Sequence, residues 1–193
     1  MSSPADPIAA PAAAALPRRQ WLALASATGL ASLGTGLWLS GRSVQAAGEA
    51  LPKDFWQQQF DTLSGTPLKL STLKGQPLLI NFWAPWCPPY VKELPEFSAF
   101  HQAQKAAPKG KGCQVLGLAI DGPTPVREFL AKTPVSFPIG LAGFGGTELA
   151  QALGNASGGL PFTVLVDAQG RLRQRKMGTT SLKDLQAWAK ALG

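Results

Sequence analysis

The stretch Leu78-Leu79-Ile80-Asn81-Phe82-Trp83-Ala84-Pro85-Trp86-Cys87-Pro88-Pro89-Tyr90 decides the fold. Residues 78–83 are a near-continuous apolar run of strand length, the pattern of a strand covered on both faces. A proline-rich turn follows, and a helix is predicted from about Pro88. In that helix Val91, Leu94, Phe97 and Phe100 recur every three residues on one side. Pro95 lies inside it and is expected to kink it. The pattern places Cys87 at the helix start, where the positive end of the helix dipole favours a thiolate. The same position predicts an exposed thiol.

Outward from this junction, strands and helices alternate. Residues 114–120 read as a second buried strand ending at Asp121-Gly122, and residues 124–132 as a helix. A short segment at 135–139 and the glycine-rich run 143–146 precede a short helix at 148–153. Residues 162–166 and 171–177 read as strands joined by the turn Asp167-Ala168-Gln169-Gly170. Ser181 caps a last amphipathic helix carrying Leu182, Leu185, Trp188, Ala189 and Leu192. Upstream, residues 55–63 and 67–70 flank Ser64-Gly65 as a hairpin. Residues 71–75 read as a short helical turn ended by glycine. This order indicates an α/β domain whose parallel strands use right-handed crossovers.

Residues 1–17 are rich in Ala and Pro and lack periodicity, so no packed structure is expected there. Arg18-Arg19 precede an apolar stretch at 21–39 diluted by Gly29, Gly34 and Gly36, and small residues follow at 41–47. A basic start, an apolar stretch and a Val-x-Ala end form an export signal. The paired arginines make it resemble a twin-arginine signal. The alternative is an uncleaved membrane tether through 21–39, long enough to cross about 30 Å of bilayer. The domains are therefore read as a leader at 1–46 and a folded unit at 47–193, in the bacterial periplasm or anchored to the inner membrane. That compartment is oxidising, which gives a surviving thiol redox work.

The 193 residues carry a formal charge of +7, with 45% apolar and 15% charged residues, a composition that buries a core. The densest basic cluster, Arg171, Arg173, Arg175 and Lys176, alternates like the outward face of a strand and has no interleaved aromatics. It gives no nucleic-acid signal. Two cysteines, Cys87 and Cys113, make neither a disulfide framework nor a metal site. His101, the single histidine, has no partner at ligand spacing and reads as a surface or packing residue. No metal and no cofactor is implied.

The segment 81–89 with Glu93-Leu94-Pro95 resembles the TlpA/ResA-like branch of the thioredoxin superfamily. Residues 70–77, the strand ending in Asp121, Leu160-Pro161-Phe162-Thr163 and residues 164–170 agree with it in the family's order. The resemblance implies a thioredoxin-like fold, a central mixed β-sheet flanked by helices with an N-terminal β-hairpin. It also implies exchange of thiols and disulfides with other proteins of the cell envelope. By position, Cys87 matches the attacking cysteine and Pro161 the cis proline facing it. Leu160 then exposes its backbone to a substrate strand. Glu93 takes the acidic position near the thiol, and Asn81 the place of a buried Asp in thioredoxin itself. Trp86, Pro88, Pro89 and Tyr90 are neighbours of the site, and Trp83 and Trp86 are expected to line it.

The family motif is W-C-x-x-C, and here Tyr90 stands where the second cysteine belongs. A thiolate attacks, but a second thiol must release the mixed disulfide. Cys113 begins a strand parallel to the active-site strand, roughly 20 Å away at the other end. That exceeds the ~7 Å Cα limit of a disulfide. The expectation is a monothiol oxidoreductase acting on protein thiols and disulfides, regenerated by a small thiol such as glutathione or by another protein. The alternative is a redox-silent binding module of the same fold. A one-cysteine peroxidase fits less well, because Ile80 and Ala84 occupy the places of its required Pro and Thr or Ser.

Overall fold

In a computed structural model of the chain, the described residues are 43–88, 90–108 and 112–192. The expected leader at 1–46 lies outside them up to residue 42, as do the tether at 21–39 and Pro89. Among the described residues no helix is long and apolar enough to cross a membrane.

All six residues of Leu78–Trp83 are buried, as expected of a strand with cover on both faces. The strands are β1 (Ser43–Ala50), β2 (Gln59–Phe60), β3 (Leu68–Lys69), β4 (Leu78–Trp83), β5 (Gln114–Ala119), β6 (Ile139–Leu141), β7 (Phe162–Val166) and β8 (Arg171–Met177). The helices are α1 (Tyr90–Lys105), α2 (Pro123–Lys132), α3 (Gly145–Ala152) and α4 (Leu182–Lys190). The main sheet has the order β1-β8-β7-β4-β5-β6. β4, β5 and β6 run parallel, while β7 is antiparallel to β4 and β8, and β1 is antiparallel to β8. This is the mixed sheet of a thioredoxin-like fold.

The alternation of side chains across β4 divides the core in two. Leu78, Ile80 and Phe82 pack with Phe55, Leu70, Leu149 and Leu153 on the face covered by the N-terminal segment and α3. Leu79 and Trp83 pack with Leu94, Phe97, Val126, Leu185 and Trp188 beneath α1, α2 and α4. Leu94, Phe97 and Phe100 of the predicted stripe are all buried.

Several boundaries differ from expectation for physical reasons. α1 begins at Tyr90 rather than near Pro88. Cys87 is held in the turn before it, its N–H donating to Ala84 O at 3.1 Å and its carbonyl accepting from Tyr90 N at 3.2 Å. β6 occupies 139–141 rather than 135–139, because Pro138 has no N–H for the ladder and offers only its carbonyl, to Gly117 N at 3.0 Å. α3 starts at Gly145, inside the glycine run, where a Cβ on Gly146 would lie 2.6 Å from Ala142 Cβ. The expected hairpin forms with two-residue strands, β2 against β3.

β1 is absent from the sequence expectation, which opened the folded unit at residue 47. Ser43, Val44 and Gln45 pair with Lys176, Arg175 and Gln174, and Glu49 and Ala50 pair with Leu172 and Arg171. The register slips between Gln45 and Glu49, where Gly48 takes φ 70°, a conformation glycine adopts without strain. The arginines of β8 are largely engaged: Arg173 pairs with Asp167 at 3.5 Å and Arg175 with Glu49.

α4 begins with a capping box. Ser181 Oγ accepts from Asp184 N at 3.3 Å, and Asp184 Oδ2 accepts from Ser181 N at 3.0 Å. Ser181→Ala removes one half of it and leaves an amide unpaired. Urea unfolding is expected to show a loss of about 1 kcal/mol. An unchanged midpoint would mean that packing alone sets where α4 starts.

Candidate active site

β4 ends at Trp83 and delivers its chain to the turn that carries Cys87, while β7, running the other way, begins beside it at Phe162. Leu160-Pro161 enters β7 with a cis peptide bond. The topology therefore brings Cys87 and Leu160 together across 73 residues of sequence, and the thiol donates to Leu160 O at 3.5 Å. Pro161 is buried and Leu160 half-buried.

The structure corrects the expected state of Cys87. The thiol is 7% exposed, and its pKa is raised, first by burial and second by the negative charge of Glu93. The residue precedes the first residue of α1, so the dipole that falls off within one turn acts on it weakly. Its S–H···O contact to Leu160 also favours the protonated form. At rest Cys87 is a covered thiol.

Tyr90 is fully buried, its ring 5.4 Å from that of Trp83. Its hydroxyl lies 2.7 Å from Phe82 O and 2.9 Å from Asn81 Oδ1. One hydroxyl proton cannot serve two acceptors. Turning the Asn81 amide over resolves the conflict: Nδ2 donates to Tyr90, and Tyr90 donates to Phe82 O. The amide oxygen then faces Thr163 Oγ1, 3.1 Å from the other amide atom, and accepts its proton. Thr180 Oγ1 in turn donates to Thr163 Oγ1 at 3.1 Å. Every hydroxyl proton then has one acceptor. Burial pushes the Tyr90 phenol well up, with Glu93 and Cys87 adding to the shift, so it remains a neutral donor.

Glu93 closes this chain. It is 1% exposed, and Oε1 accepts from Thr180 N at 2.8 Å while the buried Oε2 has no partner among the described residues. Burial raises its pKa to about 7; the Thr180 N–H and the charge of Lys176 act against the rise, and Glu96 adds to it. Thr163 and Thr180 escaped the sequence reading. Asn81 and Thr163, polar residues at paired positions inside two apolar strands, were the available signal; Thr180 left none.

The remaining expected residues separate. Trp86 is 66% exposed and Pro88 exposed, whereas Trp83 is fully buried. Leu78 is opposite Gln114 in the parallel ladder, so Cys113 lies at the start of the strands and Cys87 beyond their end. Both cysteines are free, and burial raises the Cys113 thiol to about 12. His101 packs edge-on to Phe137. Among the described residues no His, Cys, Asp and Glu cluster suits a metal.

The family model described as Redoxin matches residues 46–190. Thiol-disulfide oxidoreductase ResA of Bacillus cereus (strain ZK / E33L) is 28% identical over 128 residues, covering 65% of this chain and 69% of the relative. Sporulation thiol-disulfide oxidoreductase A of Bacillus subtilis (strain 168) is 27% identical over 157 residues, covering 81% and 90%. The crystal structure of a thioredoxin-related protein from Neisseria meningitidis serogroup B is 33% identical with a TM-score of 0.60, covering 69% of this chain and 97% of that one.

Two substitutions test this network. Glu93 has a folded-state pKa of about 7, above the ordinary 4.5 of a free glutamate, so the folded chain holds the proton more tightly between the two. Its contribution to stability is full below pH 4.5 and is lost as pH rises through about 7. Glu93→Gln removes this dependence. Urea unfolding between about pH 5 and 8 is expected to show the unsubstituted chain losing on the order of 3 kcal/mol relative to Glu93→Gln. Parallel pH profiles would refute the raised proton affinity. Tyr90→Phe keeps the ring but removes the hydroxyl's bonds to Phe82 O and to one atom of the Asn81 amide, which keeps its bond to Thr163. It is expected to cost about 1–3 kcal/mol by the same measurement.

Proposed function

We propose that Cys87 works as a single attacking thiol in this chain, which belongs to the Redoxin family and to its ResA-like thiol–disulfide oxidoreductases. The observation that carries the reading is the buried Glu93 carboxyl, near enough to Cys87 for its charge to act on the thiol. Glu93 has a proton affinity near neutrality and an oxygen, Oε2, with no partner in the fold. Such a group takes a proton when a nearby thiol ionises.

The chemistry runs in two exchanges. When Cys87 leaves the Leu160 carbonyl, its proton passes to the Glu93 carboxylate. The thiolate attacks one sulfur of a client disulfide. The Cys87–client S–S bond forms, the client's own S–S bond breaks, and its other sulfur departs as a thiolate that takes a proton. Tyr90 holds its phenol proton and is no sulfur nucleophile, so the mixed disulfide waits for an external thiol. Glutathione or another protein's cysteine attacks in turn, and either Cys87 or the client is released.

The place of work is the cell envelope. The reading is supported by Arg18-Arg19 and the apolar stretch at 21–39. Cleavage near residue 47 would remove Ser43, Val44 and Gln45 from their pairing with β8, which favours a tethered form that keeps β1 intact.

A second reading, a redox-silent binding module, is favoured by one observation: the resting thiol is buried and its pKa raised. One experiment separates the two. The full chain is mixed with a disulfide-bonded peptide at about pH 8 and followed by intact mass. A stable one-to-one mixed disulfide is expected, lost in Cys87→Ser, retained in Cys113→Ser and released by added glutathione. A chain that forms no adduct over hours is the binding module.

A further inference from the structure

The exposed large hydrophobic side chains among the described residues are Trp86, 66% exposed, and Phe144, 94% exposed. The sheet register relates them. Trp83 lies opposite Ala119, and Ala119 opposite Leu141, so these three residues form one row across β4, β5 and β6. Trp86 and Phe144 each follow three residues after the row's member on their own strand. The strands are parallel, so both aromatics leave the sheet at the end that carries Cys87. Two inter-strand spacings, about 10 Å, separate Trp83 from Leu141, the row members from which the two aromatics' turns depart.

Phe144 has no packing role. Gly143 (φ 52°) and Gly145 flank it, and a Cβ on either would meet nothing within 4 Å. The loops at this end, residues 84–88, 120–122 and 142–144, contain one charged side chain, Asp121, in a chain of net charge +7. With Asp121 balanced by exposed Lys92 in the first turn of α1, this apolar rim has no net charge to draw in an anionic small thiol. Its exposed aromatics match an apolar polypeptide.

We propose that Trp86 and Phe144 are the two ends of a docking strip for an extended apolar segment of a protein client, whose cysteine pairs with Cys87. An extended chain rises about 3.3 Å per residue, so a client side chain two to four residues from its cysteine reaches Phe144. Phe144 is then a specificity residue for the exchange. The inference rests on the single-thiol reading above and names its partner class: polypeptides in the attacking step, with small anionic thiols lacking the contact.

The test compares the full chain with Phe144→Ser. Three disulfides are offered at equal concentration: a cysteine peptide with leucine flanks, the same peptide with serine flanks, and oxidised glutathione. Both peptides are activated with thionitrobenzoate, whose release reports the rate. Phe144→Ser is expected to slow the leucine-flanked peptide about tenfold, the scale of one lost apolar contact. The serine-flanked peptide, glutathione and the thermal midpoint should not change. Equal rates for the leucine-flanked peptide in both proteins overturn the proposal, and so does a slowing shared by all three disulfides. If the full chain elutes as a dimer that Phe144→Ser dissociates, a second copy occupies the strip and the client proposal fails. No adduct with any disulfide in the full chain defeats the single-thiol reading itself, a result distinct from lost discrimination.

Discussion

A phenol hydroxyl bonded inside the sheet fixes the geometry of everything around the thiol. Tyr90, the first residue of α1, reaches the Phe82 carbonyl and the Asn81 side chain of β4. From Asn81 the chain continues through Thr163 of β7 to Thr180 and Glu93. One buried polar path thus joins the two central strands, the start of α1 and the approach to α4. Inside an apolar core each of these groups costs several kcal/mol if left unpaired. The path is fully satisfied except at Glu93 Oε2. The exception is the group closest to neutral pH in its proton affinity.

Two influences act on Cys87 in opposite senses, and magnitude decides between them. A helix N-terminus stabilises an anion by about 0.3–1 kcal/mol, less than one pKa unit, and fades within a turn. Burial of a thiol shifts its pKa upward by as much as several units. Cys87 precedes α1, is covered, and donates to a carbonyl, so burial wins. Glu93 pushes the same way while ionised. Its raised proton affinity limits how long that penalty lasts, since near neutrality it is partly protonated. The acid therefore restrains the thiol less than a surface carboxylate at the same place would.

The parts of the fold legible in sequence are those in which one local pattern sufficed. β4, β7 and β8 match residue for residue because uninterrupted runs ended by turn residues leave little choice of register. The start of α4 was legible in Ser181, whose capping role needs only its own first turn. β1 was not: small residues at 43–50 carry no apolar alternation, and they form a strand because β8 offers an open edge. The site followed the same divide. Cys87, Leu160 and Glu93 were singled out as candidates through their motif, but the burial of Cys87 depends on contacts 73 residues away. Thr180 contributes a backbone amide, which no side-chain pattern announces.

Tyr90 is therefore more than the absence of a cysteine. A second thiol at this position would be several atoms shorter than the phenol. It would leave the space beside Trp83 unfilled, and Phe82 O and one atom of the Asn81 amide without the phenol's bonds. The cavity and the unpaired groups would add, because both fall in the same buried place. The first turn of α1, which follows the turn carrying Cys87, would then lose this contact with β4. A chain that resolves its own mixed disulfide needs a short, movable residue at position 90. Tyr90 is instead a rigid anchor, and the hydrogen-bond path that runs from it to Glu93 ties the start of α1 to β4 and β7.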